Sequence, residues 1–316
     1  MVSDLQVEFG KGVDGKVNIA VLMTCHNRRE MTVRCLRAIA VAAKELERKG
    51  GGGERNLHVF LVDDGSTDGT GEEIVRLFDC SDCSDCSDCS IAGGDERLTV
   101  RVIRGDGNLF WAKGMRLAWE TAVEEEKRVG AFDFFLWLND DVELKPGAIE
   151  SVLDDWRVCG DERGVIAGAC SRDVEETAST YAATTRRDVQ IPPNGTAPQL
   201  ADGWFNGNFV LVPRKAYEQV GMISNEYTHA RADYDYAERL KRAGIPFFAS
   251  SRYVGVCEKD YAQKVEGMEL CKRVSLLWKP SYCNLHDLFL FRRKYYGLGR
   301  AIVSCLHMMA IVLRKL

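Results

Sequence analysis

Asn139-Asp140-Asp141 closes an apolar run, FDFFLWL, and is followed by Pro146-Gly147 and a helix-like segment. Adjacent carboxylates repel, and a cation held between them and an anionic ligand is the usual resolution. Taken alone, the pair fits the start of a solvated turn equally well. Further acids follow apolar runs at Asp63-Asp64 and Asp106, and Asp233 and Asp235 open a helical stretch. Such a set suits a nucleoside diphosphate: carboxylates fix the base and ribose, and a divalent cation bridges to the phosphates. Arg28 is placed to neutralise part of the diphosphate charge. No G-x-G-x-x-G follows the first strand and no G-x-x-x-x-G-K-[ST] occurs, so a dinucleotide site and a P-loop both lose their main support. No G-x-S-x-G or Cys/His pairing suggests a covalent nucleophile.

These groups need a scaffold that brings them to one edge. Apolar strands are read at 17–24, 57–62, 98–103 and 132–138, separated by helical patterns at 31–49, 70–78 and 111–128. Alternation of this kind predicts an α/β fold: a Rossmann-like, mostly parallel sheet with helices on both faces. Each strand ends in a polar cluster, so the clusters gather along one rim, where open α/β folds bind ligands. Downstream, a helix is expected at 149–159, a strand at 165–170, a long loop or hairpin over 171–200, and a glycine-punctuated strand over 203–213. Helices follow at 214–220 and 233–243, the latter closed by Gly244.

The segment CSDCSDCSDCS, residues 80–90, invites an iron–sulfur or zinc reading. Its repetition and polarity favour a low-complexity expansion in a surface loop. The tail, 285–316, is rich in basic, aromatic and aliphatic residues. Its apolar stretch 301–313 is too short to span a bilayer. Bounded by Arg292, Arg293, Lys294, Arg300, Arg314 and Lys315, it reads either as a basic amphipathic helix on an anionic membrane or as a helix packed on the domain or a second subunit.

The chain has 316 residues, 46% apolar and 28% charged, which are the proportions of an ordinary globule. A net charge of -5 argues against general nucleic-acid binding. The first fifteen residues have no apolar core and do not read as a signal peptide, so a cytoplasmic location with mostly reduced cysteines is expected, with the tail allowing a peripheral position on the inner face of the cell membrane.

The motifs VLMTCHNRREMTVRCLRAI, VDDGSTDGT, RGDGNLFWAKGMRLAWE, FFLWLNDDVELKPGAI and DYDYAERLKRAG occur in the order and spacing of family 2 glycosyltransferases. The chain resembles that family over about residues 17–260, and within it the rhamnosyltransferase-like bacterial enzymes that build surface polysaccharides. The resemblance implies a GT-A fold, with a donor half at 17–145, an acceptor half at 146–260, a polar lead at 1–16 and a helical tail at 261–316. It implies an inverting transferase that takes a UDP- or dTDP-sugar, uses Mn2+ or Mg2+, and acts on a glycan or lipid-linked glycan.

Carried over by position, the resemblance puts Thr24 and Arg28 at the nucleotide. Asp63 and Asp64 match the acids that recognise the base, and Asn108 and Lys113 line the donor pocket. In the D-x-D position, Asn139 and Asp140 face the nucleotide and ribose and Asp141 the metal. Asp233 matches the general base, although Ala232 replaces the glutamate usual before it. The histidine that many relatives carry after the last strand is missing here, leaving Glu258 or His229 as candidate metal ligands. Trp204, Phe205 and Asn206 fall on the acceptor side. A sugar-nucleotide nucleotidyltransferase is the alternative enzyme, although CHNRRE stands where its glycine-rich loop belongs. A silent glycan-binding scaffold is the alternative outside catalysis.

Overall fold

The computed structural model describes residues 16–49, 54–78, 88–92, 97–258, 268–280 and 284–314. In chain order the elements are β1 (Val17–Cys25), α1 (Arg29–Lys49), β2 (Arg55–Asp63), α2 (Thr70–Leu77), β3 (Asp88–Ala92), β4 (Leu98–Arg104), α3 (Phe110–Val129) and β5 (Phe134–Leu138). There follow β6 (Glu143–Leu144), α4 (Ala148–Val158), β7 (Val165–Ser171), β8 (Ser179–Tyr181), β9 (Gln199–Ala201), β10 (Phe209–Pro213), α5 (Arg214–Val220), α6 (Ala232–Arg242) and β11 (Phe247–Val256). Three helices close the chain: α7 (Leu270–Ser275), α8 (Leu285–Tyr296) and α9 (Leu298–Arg314).

The strands form one sheet in the order β3-β4-β2-β1-β5-β10-β7-β11-β6, with β8 beside β7 and β9 beside β11. Both faces are covered, which is why the strand sequences do not alternate. On β1, Ile19, Val21 and Met23 pack toward α1, α2 and α4 together with Leu36, Ile74 and Ile149. Ala20 and Leu22 pack on the other face with Met115, Trp119, Ala216 and Tyr236. Phe134 to Leu138 are buried without exception, so β5 is the central strand that the apolar run before Asn139 announces.

β4, β2, β1 and β5 run parallel, as the alternation of elements requires. The downstream half is more mixed: β10 is antiparallel to both β5 and β7, and β11 is parallel to β7. Residues 171–200 are less irregular than the sequence suggests. They contribute β8, β9 and a Thr184–Gln190 bridge. The cysteine repeat also departs from expectation at its end, where residues 88–90 belong to the edge strand β3 paired antiparallel with β4. The rest of the repeat, and the polar lead before residue 16, lie outside the described residues.

Candidate active site

The parallel strands bring Cys25, Asp63, Arg104 and Leu138 to one rim, and short contacts tie the loops that follow. His26 Nδ1 donates to the Asp64 carbonyl at 2.6 Å. The Asn27 amide donates to Ser66 Oγ at 2.9 Å, and Asn27 Oδ1 accepts from the Thr67 amide at 2.8 Å. Thr24 faces α3, so close that a Cβ on Gly114 would lie 2.4 Å from its hydroxyl. That approach lets α3 lie low over the sheet and start at the rim.

Asp64 differs from its expected role. It is buried, Oδ1 accepts from the amides of Gly107 at 2.8 Å and Leu109 at 3.3 Å, and Oδ2 accepts from that of Phe110 at 2.9 Å. Instead of presenting a carboxylate to a base, it shapes the loop before α3. Asp63 accepts from the Ser66 amide at 3.0 Å and is only half-buried. Asn108 and Lys113 are exposed on that loop and on the first turn of α3, and the Lys113 side chain makes no hydrogen bond or ion pair among the described residues.

After β5, the three polar residues point in different directions. Asn139 Oδ1 accepts from Trp111 Nε1 at 2.7 Å, so its amide fastens α3 to the sheet rather than facing open space. Asp140 is 4% exposed and turned toward α1, with Oδ1 on Arg28 at 3.1 Å and Oδ2 on the Thr32 hydroxyl at 3.0 Å. This also differs from a ribose contact. Burial pushes Asp140 up to about 6, against the pull of Arg28. Asp141 is 26% exposed and shares the same Arg28 Nη1, at 3.1 Å. Its other oxygen, Oδ1, is buried without a hydrogen-bond partner.

That unpartnered oxygen fits a divalent cation. Among the described residues no group of three His, Cys, Asp or Glu is arranged to hold one. A cation at Asp141 would therefore take most of its ligands from donor phosphates and water, a common arrangement for Mg2+-type sites. Neither candidate for a further ligand joins Asp141 in such a group. His229 Nδ1 accepts from the Trp111 amide at 3.4 Å, and burial lowers the imidazole to about 4, so the ring is neutral. Glu258 is exposed. The strand-end side chain near Asp141 is Cys257, a thiol that burial pushes up and Asp141 raises further.

Asp233 lies in the first turn of α6, half-buried. Oδ1 accepts from the Tyr234 amide at 2.8 Å and Oδ2 from the Gly207 amide at 3.2 Å. Burial raises its carboxyl to about 6, opposed by those amides and by Arg231. Gly207 makes the link across the site: a Cβ there would fall 2.3 Å from the Trp111 ring. Trp111 thus touches the peptide that holds Asp233 and bonds the amide of Asn139. Asp235, two residues on, is buried and takes no part in the open site.

The acceptor-side residues divide. Phe205 is 1% exposed and packs on Trp137 and Phe247, which makes it core and removes it as an acceptor contact. Trp204 is stacked on Tyr234 at 5.3 Å between centroids, bonds Glu238 at 3.0 Å, and has the Lys241 ammonium 5.3 Å from its ring. Its faces are engaged by neighbours instead of standing open as a sugar platform. Asn206 is half-buried beside Gly207. Sequence reasoning missed Trp111, although an aromatic just inside a helix after a polar loop is a readable signal. It also missed Asp287, whose carboxylate accepts from the Thr228 and His229 amides.

A family profile described as Glycosyl transferase family 2 matches residues 20–221. An N-acetylglucosaminyl-diphospho-decaprenol L-rhamnosyltransferase, found in two strains of Mycobacterium tuberculosis, is 24% identical over 217 residues, covering 60% of this chain and 63% of that protein. The chain therefore spans less than two thirds of the length of the curated relatives it matches. Among solved structures, GalNAc-T7 with UDP, GalNAc and Mn2+ superposes with a TM-score of 0.51 at 11% identity, over 94% of this chain and 55% of that one. S. aureus TarS 1-349 gives a TM-score of 0.48 at 13% identity, over 94% of this chain and 81% of that one.

Proposed function

The chain belongs to glycosyl transferase family 2, and from that premise we propose that it transfers one sugar, with inversion, from a nucleoside-diphosphate donor to a hydroxyl of a glycan or lipid-linked glycan. The observation that carries this reading is Asp233: a carboxylate raised to about 6, linked through Gly207, Trp111 and Asn139 to the rim where Asp141 keeps an unpartnered oxygen.

In this reading the donor lies along the edges of residues 24–28, 63–64 and 104–113. The loop shaped by Asp64 lines the base, and Asp63 and Asn108, each with one local hydrogen bond and spare acceptor capacity, read it. Lys113 and Arg28 attract the diphosphate, and Arg28 trades part of its hold on Asp140 and Asp141 for phosphate oxygens. Asp141 would hold a divalent cation, Mn2+ or Mg2+, whose positive charge would offset the negative charge developing on the leaving diphosphate. Asp233 accepts the proton of the acceptor hydroxyl as the oxygen bonds to the anomeric carbon. The bond from that carbon to the diphosphate oxygen breaks on the opposite face, and its electron pair leaves with the nucleotide. One displacement inverts the centre. The donor is a UDP- or dTDP-linked hexose or deoxyhexose. The relative named as a rhamnosyltransferase supports the deoxyhexose, and its decaprenyl diphosphate acceptor supports a lipid carrier. Residues 17–145 serve the donor, 146–260 the acceptor.

Turnover of a panel of UDP-, dTDP- and GDP-sugars, with and without Mn2+, tests the whole reading. Cation-dependent release of nucleotide from a UDP- or dTDP-sugar is expected. No turnover of any donor together with no cation-dependent nucleotide binding would remove it.

A lipid-linked acceptor also gives the tail a task. Among the described residues no helix is long and apolar enough to cross a membrane. Helix α9 turns Ala301 and Val312 inward and leaves Leu298, Ile302, Val303 and Leu306 exposed. Arg293 and Arg300 are exposed nearby, so an apolar face bordered by cations suits an anionic bilayer surface. The chain is expected to float with vesicles containing an anionic phospholipid, and Val303→Asp with Leu306→Asp to stay in the soluble fraction. Equal flotation of both proteins would exclude this face, and a concentration-dependent dimer dispersed by the same changes would assign it to a second copy.

A further inference from the structure

Helix α8 lies beyond both the profile match and the span of the sequence resemblance, yet it is bonded to the segment that delivers Asp233. Asp287 on α8 is wholly buried. Its carboxylate accepts from the backbone amides of Thr228 at 3.1 Å and His229 at 3.0 Å. A second tie lies about two turns farther along α8 and reaches the first turn of α6 itself. Asp235 of α6, also fully buried, accepts from the Tyr295 hydroxyl at 2.7 Å and pairs with Lys294 at 2.9 Å.

The segment so held is under strain. Arg231, the residue before α6, has φ 69, a left-handed conformation without a glycine. Such a conformation persists only where surrounding contacts over-determine it. The same segment is bonded forward into the site: the Ala112 amide donates to the Thr228 carbonyl at 3.2 Å, and the Trp111 amide to His229 Nδ1 at 3.4 Å. A shift of residues 228–231 would move Asp233 and the Trp111–Asn139 contact together.

We propose that α8 is a positioning element for proton transfer, with Asp287 fixing the approach to α6 and Tyr295 fixing α6 through Asp235. This rests on Asp233 being the base. Both amides converge on Oδ2, while Oδ1 takes the Thr228 amide at 3.3 Å and faces His286 Nδ1 at 3.2 Å, so an asparagine in either orientation turns an NH2 donor toward groups that a carboxylate oxygen accepts from. Misplacement of a reacting group by about 1 Å can cost on the order of 10²-fold in rate.

The test compares Asp287→Asn, Tyr295→Phe and Asp233→Asn in the full chain, reading kcat with the donor that turns over in the panel, the Kd for UDP or dTDP with Mn2+ by calorimetry, and the melting temperature. Asp287→Asn is expected to lower kcat by about 10- to 100-fold with nucleotide affinity unchanged, and Tyr295→Phe to lower it several-fold. Wild-type kcat in a folded Asp287→Asn would overturn the proposal while leaving the base in place, provided Asp233→Asn is inactive. A parallel loss of kcat and nucleotide binding would overturn it too, as general damage. Full activity of Asp233→Asn would remove the base and this inference with it. If Asp287→Asn fails to fold, Tyr295→Phe decides: a selective loss of kcat supports the role of α8, and wild-type kcat refutes it.

Discussion

Asp233→Asn is expected to leave a folded protein that binds nucleotide normally but transfers sugar about 10²- to 10⁴-fold more slowly, the usual contribution of a positioned base. Asparagine nearly matches the shape and can still accept one of the bonds from Gly207 and Tyr234; what it lacks is proton affinity. The pH profile gives an independent check. Burial raises Asp233 to about 6, so the wild-type kcat should be level above that value and fall as acid protonates the base. Asp140 is raised into the same range, also by burial, but its contacts are Arg28 and Thr32, so its protonation is expected to show in donor affinity. Nucleotide Kd against pH therefore reports Asp140, and kcat at saturating donor reports Asp233. Full transfer by Asp233→Asn would show that another group takes the proton.

Asp141→Ala is the second large effect. Removing its carboxylate takes away the unpartnered Oδ1 and half of the acidic pair that holds Arg28. Mn2+-dependent nucleotide affinity should fall by about 10²-fold or more, since loss of even outer partners of a metal ligand costs 10–100-fold. Affinity measured in EDTA should not fall, because the change removes no direct nucleotide contact and releases Arg28 from one of its two ion pairs. Calorimetry of UDP or dTDP with and without Mn2+ reads both. Unchanged affinity in Mn2+ would move the cation away from Asp141.

The fold was legible because β1, β2, β4 and β5 are buried on both faces and each stops at a polar cluster, features that residue type alone announces. Which way the clustered side chains turn was not legible. Asp64 and Asp140 carry the motif pattern, yet buried amides and Arg28 claim their oxygens. Sequence spacing gives the strand end but not the χ angles there. Phe205 reads as a sugar contact because it is an aromatic ring on the acceptor side of the resemblance; the core beneath β10 takes it instead. Asp287 belongs to no motif, and a tail dense in basic and aliphatic residues reads as amphipathic before it reads as a tether. Its signal was local: Asn284 caps α8 and accepts from the Asp287 amide at 3.4 Å, a spacing that marks a helix start.

β10 has a consequence for motion. It hydrogen-bonds to β5 on one side and β7 on the other, so the two halves of the chain share an unbroken ladder rather than a hinge. Clamshell closure, in which two lobes rotate about a few linker residues, would have to tear that ladder. Opening and closing around a substrate then falls to surface segments riding on the sheet. An enzyme built this way admits its substrates by local gating, not by bringing its lobes together.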